Sequence, residues 1–127
     1  MKLRINRNSI RLRLNKTEVE KFDNNKLITD KLFFGITPPE ILSFTLEQNS
    51  VENIQGTFHD GEITVLVPTK IAEKWVTTDE VGFETEQVLN NGAILRILVE
   101  KDFVCLKPRE NEDESDNYLH PAQGEIC

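Results

Sequence analysis

A mainly β, α+β domain is predicted: a single barrel-like body of eight or nine short strands with two short helices. Three observations predict it. Apolar and polar residues alternate at period two in repeated short runs up to about residue 106. Turn-forming pairs divide these runs at hairpin spacing. The same order of elements is met twice along the chain.

Leu3 and Ile5 alternate with Lys2 and Arg4, and Ile10, Leu12 and Leu14 alternate with Arg11 and Arg13. Each run reads as a strand with one buried face. Asn6-Arg7-Asn8-Ser9 between them makes the pair a hairpin. Thr17 with Glu20 reads as a capping box, opening a short helix that buries Val19 and Phe22. Strands follow near Leu32–Phe34 and Ile41–Glu47. The second round begins with Ile54–Phe58, the Asp60-Gly61 turn and Ile63–Val67. Pro68 and Thr69 then open a helix carrying Ile71, Ala72 and Trp75. Val81–Thr85 and Ile94–Val99 are strands either side of Asn91-Gly92, and Phe103–Leu106 is the last.

A shift of 53 positions sets Ile10, Leu12 and Leu14 on Ile63, Val65 and Val67, and Glu20-Lys21-Phe22 on Glu73-Lys74-Trp75. After a four-residue difference in length, Thr29-Asp30 falls on Thr78-Asp79 and Phe34 on Phe83, which suggests a repeated turn or cap. At the original shift, Ile41–Glu47 falls on Ile94–Glu100. Each unit, about 1–47 and 54–106, is then ββαββ. A unit of that size buries too little to stand alone, so the two should share one core about a pseudo-twofold axis. Closing the sheet removes its exposed edges. Residues 107–127 read as an acidic C-terminal tail, with Tyr118 and Leu119 as its apolar anchor.

At 127 residues the chain has room for one domain, and no apolar run reaches the ~18 residues of a membrane span. The N-terminus has no signal-like apolar stretch, which points to the cytoplasm. Net charge is −7, unevenly spread. Residues 1–31 hold nine basic and four acidic groups, leaving six basic and eighteen acidic for the rest. An acidic whole disfavours non-specific nucleic-acid binding, which needs basic surface to release counterions.

Gly61-Glu62-Ile63-Thr64-Val65-Leu66-Val67-Pro68-Thr69-Lys70-Ile71-Ala72-Glu73-Lys74-Trp75 resembles the core of the AbrB/SpoVT/MazE swapped-hairpin barrel. That family normally forms its barrel from two identical chains; the resemblance implies two fused halves here. Glu62 and Ala72 stand where the family carries arginines that it uses on DNA, so a DNA-binding regulator is disfavoured. Asn8-Ser9-Ile10-Arg11-Leu12-Arg13-Leu14 and Lys101-Asp102-Phe103-Val104-Cys105-Leu106 are similar to a family of small uncharacterised bacterial proteins, a resemblance that implies no activity.

The candidate site is an anion-accepting basic face. If Arg7-Asn8 is the turn, Arg4 lies opposite Arg11 and Lys2 opposite Arg13, all on one side of the hairpin. Like charges facing one another destabilise a sheet. The residues one shift away, Gln55, Thr57, Thr64 and Leu66, are uncharged, so the fold does not require the charge. A solvated face, the chain's own acidic tail (Glu110, Glu112, Asp113, Glu114, Asp116), or an external anionic ligand or protein partner would each account for it. His59, Cys105, His120 and Cys127 show no metal-ligand spacing, and Cys105 reads as a small buried hydrophobe. No phosphate loop, nucleophile elbow or carboxylate dyad is present. The expectation is a non-catalytic binding module without metal or cofactor, its oligomeric state open. The alternative is a small enzyme at the barrel mouth using Asp79, Glu80 or Cys105 with Arg11.

Overall fold

The computed structural model describes residues 1–104 and 115–119. The first hairpin is β1 (Lys2–Asn6) and β2 (Ser9–Leu14), turning on Arg7, whose φ is 53°. Helix α1 (Lys16–Asn25) leads into β3 (Leu27–Phe33), a short 3-10 turn at Pro38–Glu40, and β4 (Ile41–Asn49). The second round is β5 (Gln55–His59), β6 (Glu62–Pro68), α2 (Thr69–Thr77), β7 (Gly82–Val88) and β8 (Ile94–Lys101). Two short strands, β9 (Phe103–Val104) and β10 (Tyr118–Leu119), pair in parallel.

The eight main strands form two four-stranded sheets, ordered β1-β2-β8-β7 and β3-β4-β6-β5. The hairpins of each round are therefore divided between the sheets. At the centre of each sheet, a strand of one round pairs in parallel with a strand of the other. Leu12 faces Val99 and Ile10 faces Ile97 across β2–β8; Leu46 faces Val65 and Phe44 faces Ile63 across β4–β6. A shift of 53 residues carries the first pair of partners onto the second.

The expected closed barrel is not what the backbone makes. Among the described residues no ladder joins the two sheets. Side-chain and terminal groups bridge the seams instead. At β5–β7 the Gln87 amide accepts from Gly56 N–H at 2.7 Å and donates to Gly56 C=O at 3.3 Å. A β-carbon at Gly56 would lie 3.0 Å from Ile97 Cδ1, so glycine lets the strand come this close. At β1–β3 the Met1 amino group donates to Asp30 at 2.7 Å and also to Glu18. The two sheets thus meet at these seams through side-chain and terminal groups and not through a backbone ladder.

Leu12, Leu14, Val99 and Ile97 from one sheet and Leu46, Val65 and Val67 from the other form a single buried cluster with Val19 and Phe22 of α1 and Ala72 and Trp75 of α2. Trp75 is fully buried, edge-on to Phe22 and Phe83, and its indole N–H donates to Val81 C=O at 3.1 Å. Both helices lie at one end of this core, because each follows the C-terminal end of a central strand. Ile10 and Ile63, nearer the other end, are only half-buried.

Three local readings are corrected. The α1 cap is Asn15 with Glu18: Asn15 Oδ1 accepts Glu18 N–H and Glu18 Oε1 accepts Asn15 N–H. Thr17 is already helical there. The strand expected near Leu32–Phe34 starts at Leu27. By register, Ile28 opposite Leu46 is the counterpart of Phe83 opposite Val99, since Leu46 and Val99 are themselves one shift apart. Thr29 then lies within a strand while Thr78 caps a helix, so the shared Thr-Asp pair is not a repeated turn.

Replacing Trp75 with Ala empties the contact between the helices and both sheets. Urea unfolding should show a loss of about 3–5 kcal/mol; a loss below about 1 kcal/mol would mean the indole is not packed this way.

Candidate functional site

Register places the basic residues as the sequence implied: Lys2 opposite Arg13, Arg4 opposite Arg11 and Asn6 opposite Ser9. Because Leu3, Ile5, Ile10, Leu12 and Leu14 point to the core side, the four cations share the outer face of their sheet. Continuing each row across the sheet gives Lys2, Arg13, Glu100, Gly82, then Arg4, Arg11, Leu98, Glu84, then Asn6, Ser9, Arg96, Glu86. The face is basic along β1 and β2 and acidic along β7.

Sequence reasoning missed the carboxylates that answer this charge. Glu100 Oε1 lies 2.7 Å from Arg13 Nε and 3.6 Å from Arg11 Nε. Lys2 Nζ lies 2.7 Å from Asp102, which is buried. Both acids reach the hairpin only because β8 lies parallel to β2, a pairing more than eighty residues apart in sequence that no local pattern announces. Gly82 beside Glu100 leaves it room: a β-carbon there would lie 2.9 Å from Glu100 Cβ. Arg4 is exposed and has no carboxylate within ion-pair distance among the described residues. Lys2, Leu3, Arg4, Arg11 and Arg13 line a depression of about 210 Å³. A second hollow of about 360 Å³ lies beside it, between Arg11, Arg96 and the acids Glu84 and Glu86.

Of the tail acids considered for this face only Asp116 is described; Glu110, Glu112, Asp113 and Glu114 lie outside the described residues. Asp116 meets the start of α1: its C=O accepts Lys16 N–H at 3.0 Å and its carboxylate accepts Thr17 N–H at 3.2 Å. With Asn15, it satisfies the first four helix amides, and its charge lies at the positive end of the helix dipole. Tyr118 stacks edge-on against Phe103 and does anchor this segment; Leu119, 81% exposed, does not.

The residues proposed for an enzyme do not converge. Asp79 lines a cavity with Thr78, Lys101 and Tyr118, whereas Arg11 lines the two hollows on the outer face. His59 is exposed, 3.1 Å from Asp60 at a hairpin tip. Cys105, His120 and Cys127 lie outside the described residues, and among those described no cluster of His, Cys, Asp and Glu suits a metal. Among the described residues no helix is long and apolar enough to cross a membrane.

The sequence matches, over residues 1–122, the model of a family described as of unknown function. The chain belongs to that family, DUF7009. No curated protein and no solved structure matches it.

In this DUF7009 chain the most perturbed cation lies apart from the basic face. Lys101 is buried, donates to Thr78 C=O at 2.8 Å and lies 5.2 Å from the Tyr118 ring centre. Burial lowers its pKa below the usual lysine value, against the pull of Asp79 and Glu80. Burial raises Tyr118, with help from Asp116 and Glu20. Folding thus penalises the charged amine relative to the unfolded chain. That penalty is absent above pH 10.5 and is felt in full once pH has fallen through the lowered value. Wild type should therefore gain stability relative to Lys101→Met as pH rises from 8 toward 10.5. The Tyr118 contribution has the opposite sign and, present in both proteins, largely cancels. Parallel stability–pH curves for the two proteins would show that the amine is not desolvated.

Proposed function

We propose that this protein is a non-catalytic binding module whose outer β1–β2–β8 face takes an anionic partner group on Arg4, Arg11 and Arg13, with Lys2 at the edge. One comparison within the molecule carries the reading. The corresponding positions of the other sheet are Gln55, Thr57, Thr64 and Leu66, in the same register, Gln55 opposite Leu66 and Thr57 opposite Thr64. One frame is charged and the other is not, so the charge is an addition to the frame. It also opposes packing, since Arg4 faces Arg11 across a cross-strand pair.

On this proposal the halves are a duplicated ββαββ unit fused into a swapped-hairpin-like body. The equal shift in both parallel ladders and the matching strand orders support this. Nucleic acid is a poor candidate partner at net charge −7. A compact phosphate group suits the depression better, because guanidinium groups bind phosphate oxygens in pairs.

Glu100 already occupies Arg11 and Arg13 and competes with an incoming anion. Tripolyphosphate should raise the thermal midpoint of the wild type, and less so as salt is added. Arg4→Ala/Arg11→Ala should abolish that shift, and Glu100→Gln should enlarge it. A solvated face with no binding role would show no anion-dependent shift in any of the three proteins.

A further inference from the structure

We propose that this protein pairs with a second copy of itself through the end of the body that the helices leave open, with Arg7 of each copy set against Asp60 of the other. The helices cap the core at one end. At the other, β1, β3 and β5 bring exposed apolar residues close to their ends. Ile5 shares a row with Ile10 and the buried Ile97, and Phe58 shares one with Ile63 and Phe44, so both sit on the core-facing side of their sheets. Yet Ile5 and Phe58 are largely exposed. Leu32, opposite Leu42 on the core-facing side, lies near the end of β3, and Phe34 and Ile36 follow; Phe34 is 77% and Ile36 93% exposed. A phenylalanine side chain covers on the order of 150–250 Å². Two of them, Phe34 and Phe58, with Ile5, Leu32 and Ile36 exceed the single scattered apolar groups of an ordinary surface.

Charge around this mouth selects the occupant. The β1–β2 hairpin edges one sheet and the β5–β6 hairpin the other; with Met1 bonded to Asp30 of β3 at one seam and β5 to β7 at the other, they lie at diagonally opposite edges of the opening. Their tips are built alike: Arg7 and Asp60 both take left-handed backbone, with φ of 53° and 49°. They carry opposite charges. A twofold axis across the mouth turns one copy so that its basic tip meets the other's acidic tip, and the same contact then forms twice. The apolar residues meet at the centre and the charges form the rim, the usual layout of a protein interface. An unrelated partner would have no reason to match this opposed pair.

Sedimentation of the full chain from micromolar to submillimolar concentration tests the proposal. Wild type should associate to a dimer. Arg7→Asp alone and Asp60→Arg alone should each weaken the dimer by about tenfold or more, since each sets like charges together twice. Arg7→Asp with Asp60→Arg should restore it. Phe34→Glu should give a monomer with unchanged circular dichroism; should that variant not fold, the charge reversals still decide. A wild type that stays monomeric throughout, or a dimer indifferent to both single reversals, overturns the proposal.

Discussion

Two parallel ladders hold this molecule together, β2 on β8 and β4 on β6. Each joins strands from different halves of the chain, so neither half contains a whole sheet. A two-stranded hairpin is marginal by itself in water. Only when both ladders form do Leu12 and Val99, or Leu46 and Val65, lose their exposure. The core and the helix seats on it follow from this exchange. Such pairings must close long loops before any contact repays the entropy, a cost that slows folding in general.

The same ladders create the chemistry of the outer face. β8 brings Glu100 and Asp102 to a hairpin that would otherwise face itself with like charges. The match is incomplete, because Arg4 lies in the row that continues to Leu98 rather than to an acid until Glu84. Among the described residues Arg4 has no carboxylate within ion-pair distance, while Arg11 and Arg13 share Glu100. The proposed function rests on this imbalance.

Local features were legible where local forces decide. The hairpin turns at Arg7-Asn8 and Asp60-Gly61, the helix opened by Pro68, and the facing of Arg4 and Arg11 all follow from alternation and turn chemistry. The order of the main strands and helices along the chain was legible too. Division of the hairpins between two sheets was not, because alternation says which face is buried and nothing about the neighbouring strand. The open seams escaped for a related reason. Gln87 bridges Gly56 with a side-chain amide, and no sequence pattern marks a glutamine as a substitute strand. Asp116 as a cap for α1, a hundred residues away, was equally hidden behind the nearer carboxylate of the capping box.

Interdependence of the two sheets is most directly read by native-state hydrogen exchange. Amides of β2, β4, β6 and β8 should exchange only through global opening, with free energies that converge on one value and one denaturant slope. If the amides of one sheet opened at distinctly lower free energy while those of the other stayed protected, the sheets would be separate units and the exchange of strands between halves would not be what holds the protein together.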